Sequence, residues 1–204
     1  MGDEKMNIEI RRLTPKLTDD YIHFFDTTPH SERPDKFKCY CVCWSGDDHN
    51  ESNRGFLSSE VIRRNKAIKD IADNKLQGYL AYSGKEVVGW CNTNTKADCL
   101  NCISWRWSMD NIPIDEADLN VRIKSIFCFA IAPEFRRKGI AQMLLENICR
   151  GAGQDEFNII EAYPKKIFSN EADDFMGPVE LFKKNGFTLY HEANDRLVMR
   201  KLLK

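Results

Sequence analysis

The chain lacks any uninterrupted apolar stretch of about 18 residues, so no membrane-spanning helix is expected. Residues Met1 to Arg12 lack the apolar core of a secretory signal, and Met6 stands where an N-terminal acylation motif calls for Ser or Thr. Surplus charge of either sign is also missing. A net charge of −1 excludes the basic excess of a dedicated nucleic-acid binder. The four histidines are scattered, and no spacing pairs them into a metal site. These absences together predict a cytoplasmic protein with no nucleic-acid or membrane partner and no metal. Its 204 residues suffice for one domain with a sizeable core.

Cysteine is what the chain has in quantity, with eight. Without an export signal they read as reduced thiols. Cys39, Cys41 and Cys43 alternate with Tyr40 and Val42, which on a strand would set all three thiols on one face. Cys99 and Cys102 form a C-x-x-C, and a zinc site would combine it with two of the first three. The usual pair of C-x-x-C knuckles is missing, and the competing reading is Cys as a small buried hydrophobe. A redox pair lacks its strand-then-helix context.

Periodicity predicts a strand over Met6–Leu13, a helix over Thr18–Phe25 capped by Thr18, and a strand over Lys38–Trp44. A second helix runs from Ser58 or Ser59 to about Asn74, with Val61, Ile68 and Ile71 inward. Leu76–Tyr82 and Glu86–Thr93 flank Ser83-Gly84-Lys85 as a hairpin. Lys96–Asp118 reads as a loop with one short helix near Cys99–Ser104. Val121–Ala132 is a strand whose apolar end marks it as central and buried on both faces. A helix over Gly139–Arg150 is ended by Gly151 and Gly153. Phe157–Tyr163 is a strand, Pro178–Asn185 a helix stopped by Gly186, and Phe187–His191 and Leu197–Leu202 are strands. This order predicts an α/β or α+β fold around one mixed sheet, as a single domain over 1–204 with elaborations at about 27–57 and 95–120.

The run Arg136-Arg137-Lys138-Gly139-Ile140-Ala141 joins the central strand to the amphipathic helix. An apolar run, a basic glycine turn and a helix start build a backbone cradle for phosphate: the turn offers free N–H groups and the helix its positive dipole end. Arg and Lys add charge from the side.

Three phrases extend this pattern: "FAIAPEFRRKGIA" from Phe129, "LFKKNGF" over Leu181–Phe187, and the hairpin "GYLAYSGKEVVGW" over Gly78–Trp90. Together they resemble the GCN5-related N-acetyltransferase (GNAT) family, over about Asn7–Arg12 and Leu76–Met199. The resemblance implies a mixed, mostly antiparallel central sheet with helices on both faces and splayed central strands. It implies that the phosphate is that of coenzyme A, with acetyl-CoA as cosubstrate. Arg136, Arg137, Lys138, Gly139, Ile140 and Ala141 would hold the pyrophosphate, and the backbone of Phe129 and Ile131 would pair with the pantetheine amides as an added strand does. The implied reaction is acetyl transfer to a primary amine of a small molecule or peptide, by direct attack in a ternary complex, in a monomer or homodimer.

Such transfer needs a neutral amine, a polarised carbonyl and a stabilised thiolate. By the resemblance, Glu161 in "NIIEAYP" is the general-base candidate. The family's thiolate-side tyrosine corresponds to Phe182, which has no proton to give, and Tyr163 is the substitute candidate. The family's CoA-contacting Asn corresponds to Phe175, with Asn170 nearby but out of register. Trp44, Trp90, Trp105 and Trp107 would wall an acceptor pocket or serve as core, and Asp47, Asp48 and Asp118 would receive a cationic amine. The losses at 182 and 175 keep open an alternative, an acyl-CoA-binding sensor with little transfer.

Overall fold

The computed structural model describes residues 7–28, 38–45, 59–109, 111–112, 114, 121–169 and 174–203. One seven-stranded sheet organises them, in the order β1-β2-β3-β4-β5-β7-β6. The strands are β1 (Ile8–Arg12), β2 (Gly78–Ser83), β3 (Glu86–Thr95), β4 (Ile123–Ile131), β5 (Ile159–Ala162), β6 (Thr188–Glu192) and β7 (Leu197–Leu202). All neighbours are antiparallel except β4 and β5, which α5 (Ile140–Gln154) connects. A parallel pair needs such a crossover, because a tight turn cannot return the chain in the same direction.

Alternation along the strands divides the core. Cys91, Ile126, Ile160, Ala162 and Met199 point to the face covered by α5, where Ile140, Leu144, Leu145 and Ile148 meet them. Trp90 and Cys128 point to the opposite face, against α1 (Thr18–Thr27) and α2 (Glu60–Ala72). Further along that second face, Phe127, Tyr163 and Val198 pack with Trp44, Trp105 and Met109. The aromatic rings form a layer: Trp44 stacks on Phe127 at 4.7 Å, Phe127 on Tyr163 at 5.8 Å, and Trp105 meets both edge-on.

The predicted strand over Lys38–Trp44 is not formed. Tyr40 and Cys41 both take left-handed backbone angles (φ 49° and 48°), which no strand admits, and Val42–Trp44 is a 3₁₀ turn. The segment is held by tertiary bonds that composition does not reveal. Tyr21 Oη donates to the Tyr40 carbonyl, Tyr40 Oη to Asp26, and Ser45 Oγ to Asp70.

Helix α2 also turns a different face inward. Arg63, Ala67, Asp70 and Ile71 are buried, while Val61 and Ile62 are exposed and Ile68 is at the boundary. Arg63 is paid for by its bond to the Lys38 carbonyl and Asp70 by Ser45 and Lys66, so polar partners override the apolar period. Ser59 caps this helix, as read, through Ile62 N. At α1 the cap is Leu17 and Thr18 is already helical, its hydroxyl donating to the Pro15 carbonyl.

The region after β3 holds two short helices, α3 (Lys96–Cys99) and α4 (Ile103–Ser108), where one was expected. Helix α5 runs through Gly151 and Gly153, with Asp155 as its C-cap. Gly151 serves close packing there: a Cβ would overlap the Tyr79 hydroxyl and lie 3.1 Å from its ring carbon Cζ. The last helix, α6 (Val179–Lys184), begins after Pro178, and Gly186 follows it at φ 81°.

Candidate active site

Strand β4 runs to Ile131, but it pairs with β5 only over Ile123–Ile126, opposite Ile159–Ala162. Beyond that point β5 has ended and the pairing with it, while β3 stays bonded to the other edge of β4 as far as Ile131. A bulge at Phe127, where Asn92 pairs with Cys128 and Thr93 with Ile126, bends β4 where that pairing ends. The C-terminal half of β4 is thus without a β5 partner along this edge, at the end that leads into the basic turn.

That turn has the geometry of an anion cradle. Arg137 (φ 60°) and Gly139 (φ 81°) are left-handed, which curls successive N–H groups inward. Gly139 is the N-cap of the 15-residue α5, supplies no capping side chain, and no acidic residue occupies the first turn. The first intrahelical bond at this end is Met143 N to Gly139 O (3.1 Å), so the N–H groups of Ile140, Ala141 and Gln142 precede it. A Cβ on Gly139 would meet nothing within 4 Å, so the glycine answers the left-handed backbone and not a clash with protein atoms.

A cleft of about 280 Å³ opens beside the turn. Among its lining residues are Phe129, Ile131, Arg136, Arg137 and Ala141, which the sequence had proposed, and Phe168, Asp174, Phe175, Pro178 and Leu181, of which only Phe175 had been considered. Lys138 points elsewhere, its Nζ lying 5.2 Å from the Phe135 ring centre, and Ile140 is buried in the core beneath α5. Arg136 Nε donates to the Ile131 carbonyl at 3.3 Å, tying the turn to the strand end.

That edge of β4 is partly taken up by the chain itself. Phe129 N–H donates to the Phe175 carbonyl at 2.7 Å, so one donor expected to pair with pantetheine already has a protein partner. The turn carrying Phe175 is closed by Gly177 N to Asp174 O (2.9 Å). Asp174 accepts from the Ser169 amide and hydroxyl and pairs with Lys165 at 3.1 Å. Burial works against the Asp174 charge, but these donors outweigh it and hold the carboxyl below its ordinary range.

Neither catalytic candidate from the sequence lines the cleft. Glu161 is completely buried, with Oε1 accepting from Lys96 at 2.8 Å and Oε2 from Arg200 at 2.5 Å. Each oxygen already holds a charge-assisted bond to a cation. The position does not offer the free carboxylate that a general base requires. Tyr163 is also fully buried, sharing a 2.7 Å hydrogen bond with Ser125. Burial first, then the Glu161 charge, push its phenol well above the ordinary value and oppose its ionisation, despite the lowering Ser125 bond. Phe182 is buried against Phe129 and Phe187 under α5.

Trp44, Trp90 and Trp105 are core, and Trp107 is exposed. Asp47, Asp48, Asp118 and Asn170 lie outside the described residues. All eight cysteines are free thiols, and among the described residues no cluster of metal-ligating side chains is present. No helix among the described residues is long and apolar enough to cross a membrane.

The sequence model of the acetyltransferase (GNAT) family matches residues 46–187, well over half of the chain. The chain belongs to this family, and it is an enzyme of the acetyltransferase class. No match was found among curated proteins. Solved structures share the fold at low identity. The Drosophila melanogaster polyamine N-acetyltransferase, which forms N-acetylagmatine, is 10% identical with a TM-score of 0.60, over 97% of this chain and 100% of that one. The Streptococcus pneumoniae GNAT acetyltransferase is 15% identical (TM-score 0.54, 97% and 100%). The Thermoplasma acidophilum PaiA N-acetyltransferase, solved with coenzyme A, is 14% identical (TM-score 0.53, 97% and 99%).

Proposed function

We propose that the chain transfers an acetyl group from acetyl-CoA to a primary amine of a small molecule or peptide, by direct attack within a ternary complex. The observation that carries this reading is the uncapped N-terminus of α5, framed by left-handed Arg137 and Gly139 beside a cleft along β4. The N–H groups of Ile140, Ala141 and Gln142, with Arg136 and Arg137, would hold the pyrophosphate. The thioester end would run along Phe129–Ile131 toward the point where β5 stops pairing with β4.

There the amine nitrogen forms the new C–N bond, the C–S bond breaks, and the thiolate leaves with the donor. The proton lost by the amine goes to water in this reading. Glu161 and Tyr163 are enclosed, and Asp174, held below its ordinary pKa by the Ser169 donors and Lys165, is a weak base. Glu161 instead serves as the buried counter-charge that ties β5 to Lys96 and to Arg200 on β7.

The Phe129–Phe175 bond and Phe182 favour a second reading, an acyl-CoA-binding protein with little transfer. Calorimetric acetyl-CoA titration with a primary-amine screen separates the two. Gly139→Glu places a bulky anion on the cradle at a position open to solvent and should abolish CoA binding while the unfolding midpoint stays within the range of a strained turn. Survival of CoA binding in that variant would refute the cradle assignment.

A further inference from the structure

Phe175 is the residue where the two sides of the sheet communicate. It lines the donor cleft, and it packs against both hydrophobic clusters on the opposite face. Its carbonyl occupies Phe129 N–H on the edge of β4 that β5 has left. The neighbouring Met176 is buried and takes a contact from Arg196 Nη1 at 3.2 Å, and Asp174 is fixed by Ser169 and Lys165. The backbone here is anchored on both sides of Phe175, whose ring is half-buried between the cleft and the far face.

The far face also carries a buried polar side chain without a protein partner. Asn92 stands opposite Cys128 in the register, one residue from Phe129, and is 1% exposed. Neither its amide nitrogen nor its carbonyl oxygen has a hydrogen-bond partner. A buried amide with both ends unpaired is costly to keep in a core, and it offers an acceptor and a donor to whatever polar group reaches it.

We propose that Phe175 is a specificity-determining residue that controls passage from the donor cleft to the acceptor face, and that the acceptor amine comes to rest against the Asn92 side chain. The inference rests on the acetyltransferase reading above. The Asn92 carbonyl would accept an amine N–H, and the Phe175 ring would set how large an amine can approach the thioester.

The test uses the full chain with acetyl-CoA as donor and two nucleophile probes, hydroxylamine as the small one and agmatine as the large one, alongside hydrolysis by water. Phe175→Ala should raise kcat/KM for agmatine relative to hydroxylamine on the order of tenfold, a ratio that any change in donor affinity leaves untouched because both amines share the donor. Phe175→Leu keeps an apolar side chain and should shift the ratio in the same direction by less, so the test stands even if the alanine variant is unstable. Asn92→Leu should raise KM for both amines and leave CoA binding and thioester hydrolysis unchanged. If wild-type protein transfers to neither amine, Phe175→Ala should still increase hydrolysis of acetyl-CoA.

An unchanged amine ratio and an unchanged hydrolysis rate, in Phe175 variants that bind CoA, would overturn the role of Phe175. An Asn92→Leu variant with unaltered amine KM would overturn the acceptor position. Absence of CoA binding in the wild type is a different outcome: it removes the acetyltransferase reading itself and the inference with it.

Discussion

Lys96 Nζ lies 2.8 Å from Glu161 Oε1, with Glu161 fully buried and Lys96 nearly so, and Arg200 closes on the other carboxylate oxygen. One anion thus holds two cations from β7 and from the start of α3. A buried ionic group is stabilising only relative to its broken form, because the partner left behind has no water to turn to.

Glu161→Gln should therefore cost about 3 kcal/mol of folding stability, at the low end of what breaking a buried pair costs because the amide still bonds one cation. Urea unfolding measures this as a lower midpoint at unchanged slope. Acetyl transfer per folded molecule should stay within a few-fold of wild type. A fall of about a hundredfold or more in turnover, with stability intact, would restore Glu161 as the general base.

Helix α5 offers a test of packing. Gly151→Ala removes a flexible residue from a helix interior, which by propensity alone gains close to 1 kcal/mol. The new methyl would meet the Tyr79 hydroxyl, so a net loss of about 1–2 kcal/mol is expected from overpacking. Adding Tyr79→Phe deletes the clashing oxygen and should recover part of the loss, leaving the 3.1 Å approach to the ring carbon as the remainder. Thermal or urea unfolding of the three variants and wild type forms the cycle. If Tyr79→Phe recovers nothing, the close approach is not where the strain lies.

The same helix shows what a sequence reveals and what it conceals. Local patterns carried through: the apolar run of β4, the stripe of Ile140, Leu144, Leu145 and Ile148, the hairpin around Gly84, and the glycine-basic turn all depend on neighbours in sequence. What failed depends on partners far along the chain. Gly151 reads as a helix stop until Tyr79, on β2, is seen against it. Arg63 and Asp70 read as solvent-facing until Lys38 and Ser45 are brought to them. Cys39–Cys43 alternates like a strand, yet Tyr40 is fixed by Tyr21 and Asp26 in a left-handed turn. In the site, the cradle was legible because one contiguous run builds it. The enclosure of Glu161 was not, because Lys96 and Arg200 lie on separate elements. The basic residues of "NTKADC" and "LVMRKL" gave no sign that they share one carboxylate.

At the end of β4 away from the cleft, Lys124 is buried with its Nζ 3.0 Å from Gln77 Oε1 and 5.0 Å from the Phe157 ring centre. Burial, and then repulsion from Arg12, lower its pKa from 10.5 to about 8. Between those two values the unfolded chain binds a proton that the folded chain does not, so stability rises with pH across that window. Below about 8 both states are charged and the fold carries the full cost, about 3 kcal/mol by the shift alone. Lys124→Met removes that cost but leaves the Gln77 oxygen without its donor, which returns about 1 kcal/mol. The variant should thus be more stable than wild type by about 2 kcal/mol at pH 7. As pH rises from 8 toward 10.5 the wild-type lysine becomes neutral in both states and the advantage should disappear. Urea unfolding of both proteins at pH 7 and pH 10 measures the difference directly. A gap that stays constant across that range would mean that Lys124 keeps its proton in the fold, and the assigned cause would be wrong.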